Sequence, residues 1–290
     1  VAAKNGKARL AGVIGDPITH SLSPTIHEYW LRKHDINGAY VPLRMSPQVF
    51  ESSVRAFVDA GFVGFNVTLP HKAAAYALAQ SCDDTAHLCQ AVNTLVLKHD
   101  GSLYGMNSDT FGFVSMVEGE MAQTPFALER VMLLGAGGSA RAVVAGLAQL
   151  GCRSLVIVNR TPERAGVLVQ DMQRVLKEME VTIIGFEEVE RHVRDVHTVV
   201  NTLSIGQTVP IAWDRFVRMT PNTAMMIDIS YGRYGTEMTK EAEKAKRRSV
   251  DGLNMLLKQA VLGFEQWFGV MPVVDEALMA HVRAISETNR

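Results

Sequence analysis

The chain has 290 residues, and its 29 Lys and Arg nearly balance 30 Asp and Glu, for a formal net charge of −1. That length favours two domains with sizeable cores over one. The balanced charge gives no footprint for nucleic acid, and no apolar run reaches membrane-spanning length. Three cysteines, Cys82, Cys89 and Cys152, contain no C-x-x-C pair and argue against a disulfide framework or structural zinc. The first ten residues, VAAKNGKARL, are basic without an apolar signal core, so a cytoplasmic protein is expected.

Residues 10–14 read as a short apolar strand ended by Gly15, Asp16 and Pro17, and 25–34 as an amphipathic helix. Ser23 before Pro24 carries the N-cap signal, so capping alone accounts for it. Ser21 has no such use. Two hydroxyls at a strand exit suit a polyhydroxylated or carboxylated ligand. Residues 40–45 form a second expected strand. Ser46-Pro47 repeats the cap signal before a helix whose Phe50, Val54, Phe57 and Val58 recur as core positions.

In GFNVTLPHK, residues 64–72, Phe65, Val67 and Leu69 alternate with Asn66 and Thr68, so the polar pair shares one strand face. Pro70 ends the strand, and a helix starts near Lys72. A lysine in a first helical turn opposes the dipole, an odd place for a solvating charge, although an exposed surface lysine is the plain alternative. Residues 91–97 and 102–104 flank an Asp100-Gly101 turn as a hairpin. Asn107, Ser108 and Asp109 lead into a helix over 110–118, which Asp109 is placed to cap.

Residues 131–134 read as a buried parallel strand running into Gly135-Ala136-Gly137-Gly138 and a helix over 139–150. Strand, glycine turn and helix make the first unit of a dinucleotide-binding fold. The glycines admit a pyrophosphate, and the helix offers its N–H groups and dipole. Such turns also serve as plain connections. The next strand, 154–158, ends in Asn159-Arg160-Thr161, with Arg164 a turn later. An acid there would hold the 2′-hydroxyl of NAD, whereas two guanidinium groups and a hydroxyl suit the 2′-phosphate of NADP. A solvated arginine pair is the alternative.

Helices at 162–180 and near Trp213 alternate with strands at 181–184, 198–200 and 224–228, the pattern of a parallel sheet with crossovers. Residues 236–248 read as an exposed helix, polar nearly all round. Two apolar helices over 250–267 and 272–287, with no strand between them, are expected to complete the first domain.

Seven motifs occur in order: SLSP at 21–24, NVTLPHK at 66–72, AVNT at 91–94, NSD at 107–109, GAGGSARA at 135–142, NRT at 159–161 and DGLNMLLKQA at 251–260. By these the chain resembles the shikimate dehydrogenase family almost end to end. The resemblance implies a two-domain α/β fold, with an open substrate-binding domain (1–109 and 250–290), a Rossmann-type NADP-binding domain (110–249) and a cleft between them. It implies NADP-dependent, reversible reduction of 3-dehydroshikimate to shikimate, in chorismate and aromatic amino-acid biosynthesis. The implied state is a monomer or homodimer, with no nucleic-acid or membrane partner. Quinate or aminoshikimate dehydrogenation, or a non-catalytic NADP(H)-binding regulator, are the alternatives.

The resemblance assigns Lys72 and Asp109 as the catalytic pair. It assigns Ser21, Ser23, Asn66, Thr68, Asn93, Asn107, Tyr231 and Gln259 to the substrate. It assigns Gly135, Ala136, Gly137, Gly138, Ser139, Ala140, Asn159, Arg160, Thr161, Arg164, Thr202, Leu203, Ile229 and Gly252 to NADP, and no residue to a metal. The serine pair is the shikimate-type pattern. The family's T-P-x-G-M reads here as Leu203-Ser204-Ile205-Gly206-Gln207, and Gly232-Arg233-Tyr234-Gly235-Thr236 replaces a proline-bearing loop. The stretch between Lys246 and Asp251 is short, so the last strand is expected to be stunted.

Chemically, hydride reduction of a ketone leaves an alkoxide that needs a proton, and an ammonium at the carbonyl oxygen stabilises that charge. Desolvation and the first-turn position lower a lysine's pKa, while a nearby carboxylate raises it. Their balance decides between a proton shuttle and a mainly electrostatic role.

Overall fold

The computed structural model describes residues 5–203, 209–232 and 235–288. Ser204–Gln207 of the first divergent loop, and Arg233 and Tyr234 of the second, lie outside the described residues. The chain divides into two compact units, Val1–Gly112 with Leu256–Arg290, and Phe113–Met255. Both divisions fall inside helices, Asp109–Gln123 and Leu253–Phe268.

The first unit holds a six-stranded mixed sheet: β1 (Arg9–Gly15), β2 (Gly38–Arg44), β3 (Phe62–Val67), β4 (Ser81–Cys82), β5 (Thr94–Leu97) and β6 (Leu103–Met106). Its order is β2-β1-β3-β5-β6-β4. β1 runs parallel to both β2 and β3, while β5 is antiparallel to β3 and to β6. The last five residues of β1 are all buried, as expected of a parallel strand covered on both faces. Ile14, Phe65 and Leu95 anchor the core. The late helix Leu253–Phe268 packs into the same unit. Its Phe264 meets Trp30 with ring centroids 5.3 Å apart, and Trp267 Nε1 donates to the Leu95 carbonyl at 3.0 Å. Each such buried aromatic contributes about 1.5–3 kcal/mol over exposure, so the early strands depend on late residues.

Local capping differs from expectation. The first helix is Ser23–Lys33, with Leu22 at the N-cap and no side-chain cap bond. Ser23 therefore sits inside the first turn, and it is Ser21 Oγ that accepts its amide, at 3.3 Å. Ser21 thus has a structural use that the sequence pattern hides. Ser46 makes no cap bond either; a 3₁₀ turn, Pro47–Val49, precedes the Phe50–Asp59 helix. The final helix starts at Glu276, because Asp275 Oδ1 accepts the Leu278 amide and fixes its start.

The second unit holds β7 (Arg130–Leu134), β8 (Ser154–Val158), β9 (Glu180–Ile184), β10 (Thr198–Asn201), β11 (Met225–Asp228) and β12 (Arg248–Val250). All are parallel, in the order β12-β11-β10-β7-β8-β9. Read from β9, this is the 3-2-1-4-5-6 order of a doubly wound dinucleotide-binding sheet. β12 has only three residues, the stunted last strand. The charged stretch after Tyr231 corrects the sequence reading. Its helix, Glu237–Lys244, is not polar all round, since Met238, Thr239 and Ala242 are buried and Met238 and Ala242 join the core. Two apolar residues four apart are enough to dock so short a helix. The expected 162–180 helix is also broken, into Pro162–Asp171 and Gln173–Leu176.

Candidate active site

In the first unit β1 lies between β2 and β3, so chain connections diverge there, the place where open α/β sheets bind ligands beyond their carboxyl ends. The segments leaving β1 and β3 carry Ser21 and Ser23, and Thr68 and Lys72. Thr68 is fixed to β1 by its amide, which donates to the Ile14 carbonyl at 2.9 Å. Asn93, just before β5, and Asp109, just after β6, come from the other side of the sheet.

Lys72 Nζ donates to Asp109 Oδ2 at 2.5 Å, with side chains only 15% and 13% exposed. The pair is largely desolvated yet open on one side. Asp109 Oδ1 accepts from Asn93 Nδ2 at 2.8 Å, so both carboxylate oxygens are held. Ser108 Oγ reaches Gln259 Oε1 at 3.1 Å, and its amide donates to Asn93 Oδ1 at 2.9 Å. Gln259 Nε2 in turn donates to the Leu256 carbonyl.

Asn107, not Asp109, supplies the cap at this helix start: its Oδ1 accepts the Asp109 amide at 3.1 Å, and its Nδ2 holds the Ala91 carbonyl. The Asp109 side chain is released from capping and faces Lys72 instead. Asn107 and Asn66 are both buried; Asn66 joins Tyr40 to Thr94 and the Asn93 carbonyl, and Asn107 joins the Ala91 carbonyl to the Asp109 amide. Ser21 and Thr68 are half-buried and Ser23 is buried. Tyr231 is half-buried in the second unit. Sequence reading passed over Ser108, although it stands inside the NSD motif, and read Tyr40 and Thr94 as strand residues only.

In the second unit, Gly135 follows β7 at φ +104°, and a Cβ there would lie 2.6 Å from Thr202 Oγ1. Backbone and neighbour both demand glycine. Thr202 Oγ1 closes this corner by donating to the Leu134 carbonyl at 2.7 Å. Gly137 is the N-cap of helix Gly138–Gln149 and offers no side chain to its free N–H groups. A Cβ on Gly137 or Gly138 would meet nothing within 4 Å. The protein itself does not use the missing side chains, which suits an anion lying against the backbone.

A groove of about 730 Å³, open to solvent, runs past this turn. It is lined by Gly135, Ala136, Gly137, Asn159, Arg160, Thr161, Arg164, Thr202 and Leu203. Asn159 Nδ2 tightens the turn by donating to the Thr161 carbonyl at 2.7 Å. Among the described residues no hydrogen bond or ion pair engages the Arg160 or Arg164 guanidinium. Phe186, Val209 and Pro210 complete the lining. No glycine or charge signal marks them, and Phe186 reads only as an apolar residue after β9. Gly138, Ser139, Ala140, Ile229 and Gly252 are not lining residues of this groove. Ala140 is fully buried, and a Cβ on Gly252 would lie 2.0 Å from the Ile229 carbonyl, so that glycine serves close packing.

Asp228, at the end of β11, is buried and accepts from Asn201 Nδ2 at 2.8 Å and from the Ser230 amide at 2.9 Å. Burial pushes its carboxyl above the usual carboxylate range, and these hydrogen bonds offset that only in part. Among the described residues, no cluster of His, Cys, Asp or Glu could hold a metal ion.

The fold and these two sites define a two-domain α/β oxidoreductase with a Rossmann-type nucleotide unit. Residues 13–95 match the family described as "Shikimate dehydrogenase substrate binding domain", and 119–256 match "Shikimate / quinate 5-dehydrogenase". The shikimate dehydrogenase (NADP(+)) of Paramagnetospirillum magneticum is 40% identical over 96% of this chain and 99% of its own. That of Acidiphilium cryptum is 41% identical over 97% and 98%. A crystal structure of shikimate 5-dehydrogenase from Thermus thermophilus, in complex with NADP(H) and shikimate, superposes with a TM-score of 0.79. It is 27% identical and the match covers 96% of this chain and 99% of that one. The chain belongs to the shikimate dehydrogenase family.

Proposed function

We propose that the chain catalyses the NADP-dependent, reversible reduction of 3-dehydroshikimate to shikimate, a step toward chorismate and the aromatic amino acids. The observation that carries this reading is the Lys72–Asp109 pair at the switch point, held by Asn93 and open on one side. The bound cofactor supplies hydride in one direction and accepts it in the other. Lys72 Nζ hydrogen-bonds the ring carbonyl oxygen and stabilises the charge that develops there. It passes its proton to the alkoxide and takes it back from the alcohol in the reverse reaction. Asp109 Oδ2 keeps the ammonium aimed, and Asn93 keeps Asp109 from turning away.

Ser21, Ser23, Thr68, Asn93 and Gln259 bind the substrate's carboxylate and hydroxyls and so orient the reacting carbon, and Tyr231 keeps the substrate-binding role that the family resemblance gives it. Asn66 and Asn107, assigned to the substrate with them by the resemblance, also brace the Asn93 carbonyl and the Asp109 amide. The groove beside Gly135, Gly137 and Thr202 holds the pyrophosphate, while Arg160, Thr161 and Arg164 take the 2′-phosphate, so NADP is preferred over NAD. The first unit is the substrate-binding domain and the second the NADP-binding domain. The balanced charge fits a cytoplasmic monomer or homodimer without nucleic-acid or membrane partners. Among the described residues no helix is long and apolar enough to cross a membrane.

The test is an initial-rate matrix crossing shikimate and quinate with NADP⁺ and NAD⁺. Fast turnover confined to shikimate with NADP⁺ is expected. A preference for quinate or NAD⁺ would overturn the roles given to the serine or the arginine pair. Cofactor binding without turnover would overturn the activity.

A further inference from the structure

Tyr40 sits on β2 among rings. It stacks on His27 with centroids 4.0 Å apart and planes 6° from parallel, and it lies 5.9 Å from Trp267. A phenylalanine would fill this place as well, and a hydroxyl buried among rings costs free energy unless it is hydrogen-bonded. This one is bonded. It donates to Asn66 Oδ1 at 2.6 Å, and the Ser23 side chain lies beside it, near enough to offset part of the pKa rise that burial causes.

The bond to Asn66 has a direction, and the direction propagates. Because Asn66 Oδ1 faces the tyrosine, its Nδ2 points the other way and donates to Thr94 Oγ1 at 3.2 Å and to the Asn93 carbonyl at 3.3 Å. Thr94 Oγ1, now an acceptor, turns its own hydrogen to Asn93 Oδ1 at 3.0 Å. That leaves Asn93 Nδ2 facing Asp109 Oδ1. Every member of this path from Tyr40 to Asn93 is buried, so water does not replace a broken link cheaply.

We propose that the Tyr40 hydroxyl is a positioning group that couples Ser23, on the substrate side, to the orientation of Asn93 and hence of the Lys72–Asp109 pair. The proposal rests on the roles given to Ser23 and to that pair under the proposed function. The two ends do not depend on Tyr40 equally. Asn93 has further orienting donors in the Ser108 amide and hydroxyl, whereas the Ser23 side chain stands beside the Tyr40 hydroxyl. Loss of the hydroxyl therefore falls mainly on substrate binding and less on turnover.

The experiment measures kcat, the KM values for shikimate and NADP⁺, and Tm for wild type, Tyr40→Phe, Ser23→Ala and the double variant. Tyr40→Phe is expected to raise the shikimate KM about tenfold, the loss of roughly one net hydrogen bond. Its kcat falls about two- to fivefold, and the NADP⁺ KM stays within twofold. In the Ser23→Ala background the KM effect of Tyr40→Phe shrinks below about twofold, the non-additivity of a shared link. Thr94→Val, which cuts the path further on, lowers kcat several-fold with little change in the shikimate KM. The proposal fails if Tyr40→Phe leaves the shikimate KM unchanged, or acts equally in both serine backgrounds. It also fails if both KM values rise together with a fall in Tm, as a purely structural role would have it. An inert wild type would defeat the proposed function itself, and this coupling with it.

Discussion

The two units treat their polar groups in opposite ways. In the first, Asn93, Ser108, Asp109, Lys72 and Gln259 are bonded to one another, and both oxygens of Asp109 have protein partners. In the second, Gly137 offers no capping side chain to the helix N–H groups, and Arg160 and Arg164 line an open groove. The first site is held together by its own side chains; in the second, among the described residues, no protein partner engages the Arg160 or Arg164 guanidinium. A ring ketone carries little charge to organise a site and must be met by fixed partners. A phosphorylated nucleotide brings its own fields, so positive groups on a rigid turn suffice.

This contrast can be broken most decisively at Lys72. Replacing it with methionine should lower kcat by about 10³-fold, within the range for loss of a positioned acid–base group, while circular dichroism stays unchanged. Turnover within tenfold of wild type would mean that the first site's organisation serves binding alone. The second unit should respond differently, in affinity. Arg160→Ala combined with Arg164→Ala should raise the NADP⁺ KM by about 30- to 100-fold, as expected for losing charge-assisted hydrogen bonds. The NAD⁺ KM should stay within about threefold. Equal losses with both cofactors would show that the arginines serve the fold.

Two smaller effects concern stability and sharpen the comparison. His27 is fully buried, and among the described residues neither ring nitrogen reaches a partner at hydrogen-bonding geometry. Burial pushes its pKa from 6.5 to about 3, offset only in part by the nearby Asn66 side chain. The folded value lies below the unfolded one, so protonation favours unfolding. Stability is full above pH 6.5 and falls toward pH 3, by up to about 1.4 kcal/mol per unit. His27→Phe should flatten that acid limb in denaturant titrations from pH 7 to pH 4; an unchanged slope would assign acid sensitivity elsewhere. Asp228 has the opposite sign. Its folded pKa is raised, so its contribution is present at low pH and lost as pH rises through the folded value. Asp228→Asn should therefore raise Tm slightly at pH 7, with the gain vanishing in acid. A fall in Tm at pH 7 would mean that its bonds to Asn201 and Ser230 need the charge.

The second unit was the more legible in sequence. Continuous apolar strands, a glycine turn and arginines after β8 each carry a local signal, and the parallel sheet follows from their alternation. What escaped there was Phe186 and Pro210, whose place on the groove comes from topology, and Met238, whose burial needs only two apolar positions in a charged helix. In the first unit Lys72 was legible as a charge set against a helix dipole. Its partner Asp109, which the family motif pairs with it, reads by local signal alone as a cap, because Asn107 and Asp109 are chemically alike and only geometry shows which one accepts the amide. The path from Tyr40 through Asn66 and Thr94 left no signal as a path, although Asn66 and Thr94 stand in the NVTLPHK and AVNT motifs. It joins β2, β3 and β5, and such pairings are written in the register of strands rather than in any run of residues.

That same sheet has a consequence for the order in which the chain matures on a ribosome. The first unit is finished only by Gln259, Phe264 and Trp267, whereas Phe113–Met255 emerges without interruption and closes its own parallel sheet. At usual elongation speeds the inserted stretch takes roughly 10–30 s to synthesise, and through that interval the apolar flanks of β1 and β3 lack their final cover. A released chain truncated just after Met255 should therefore yield a protease-resistant nucleotide unit behind a digestible N-terminal part.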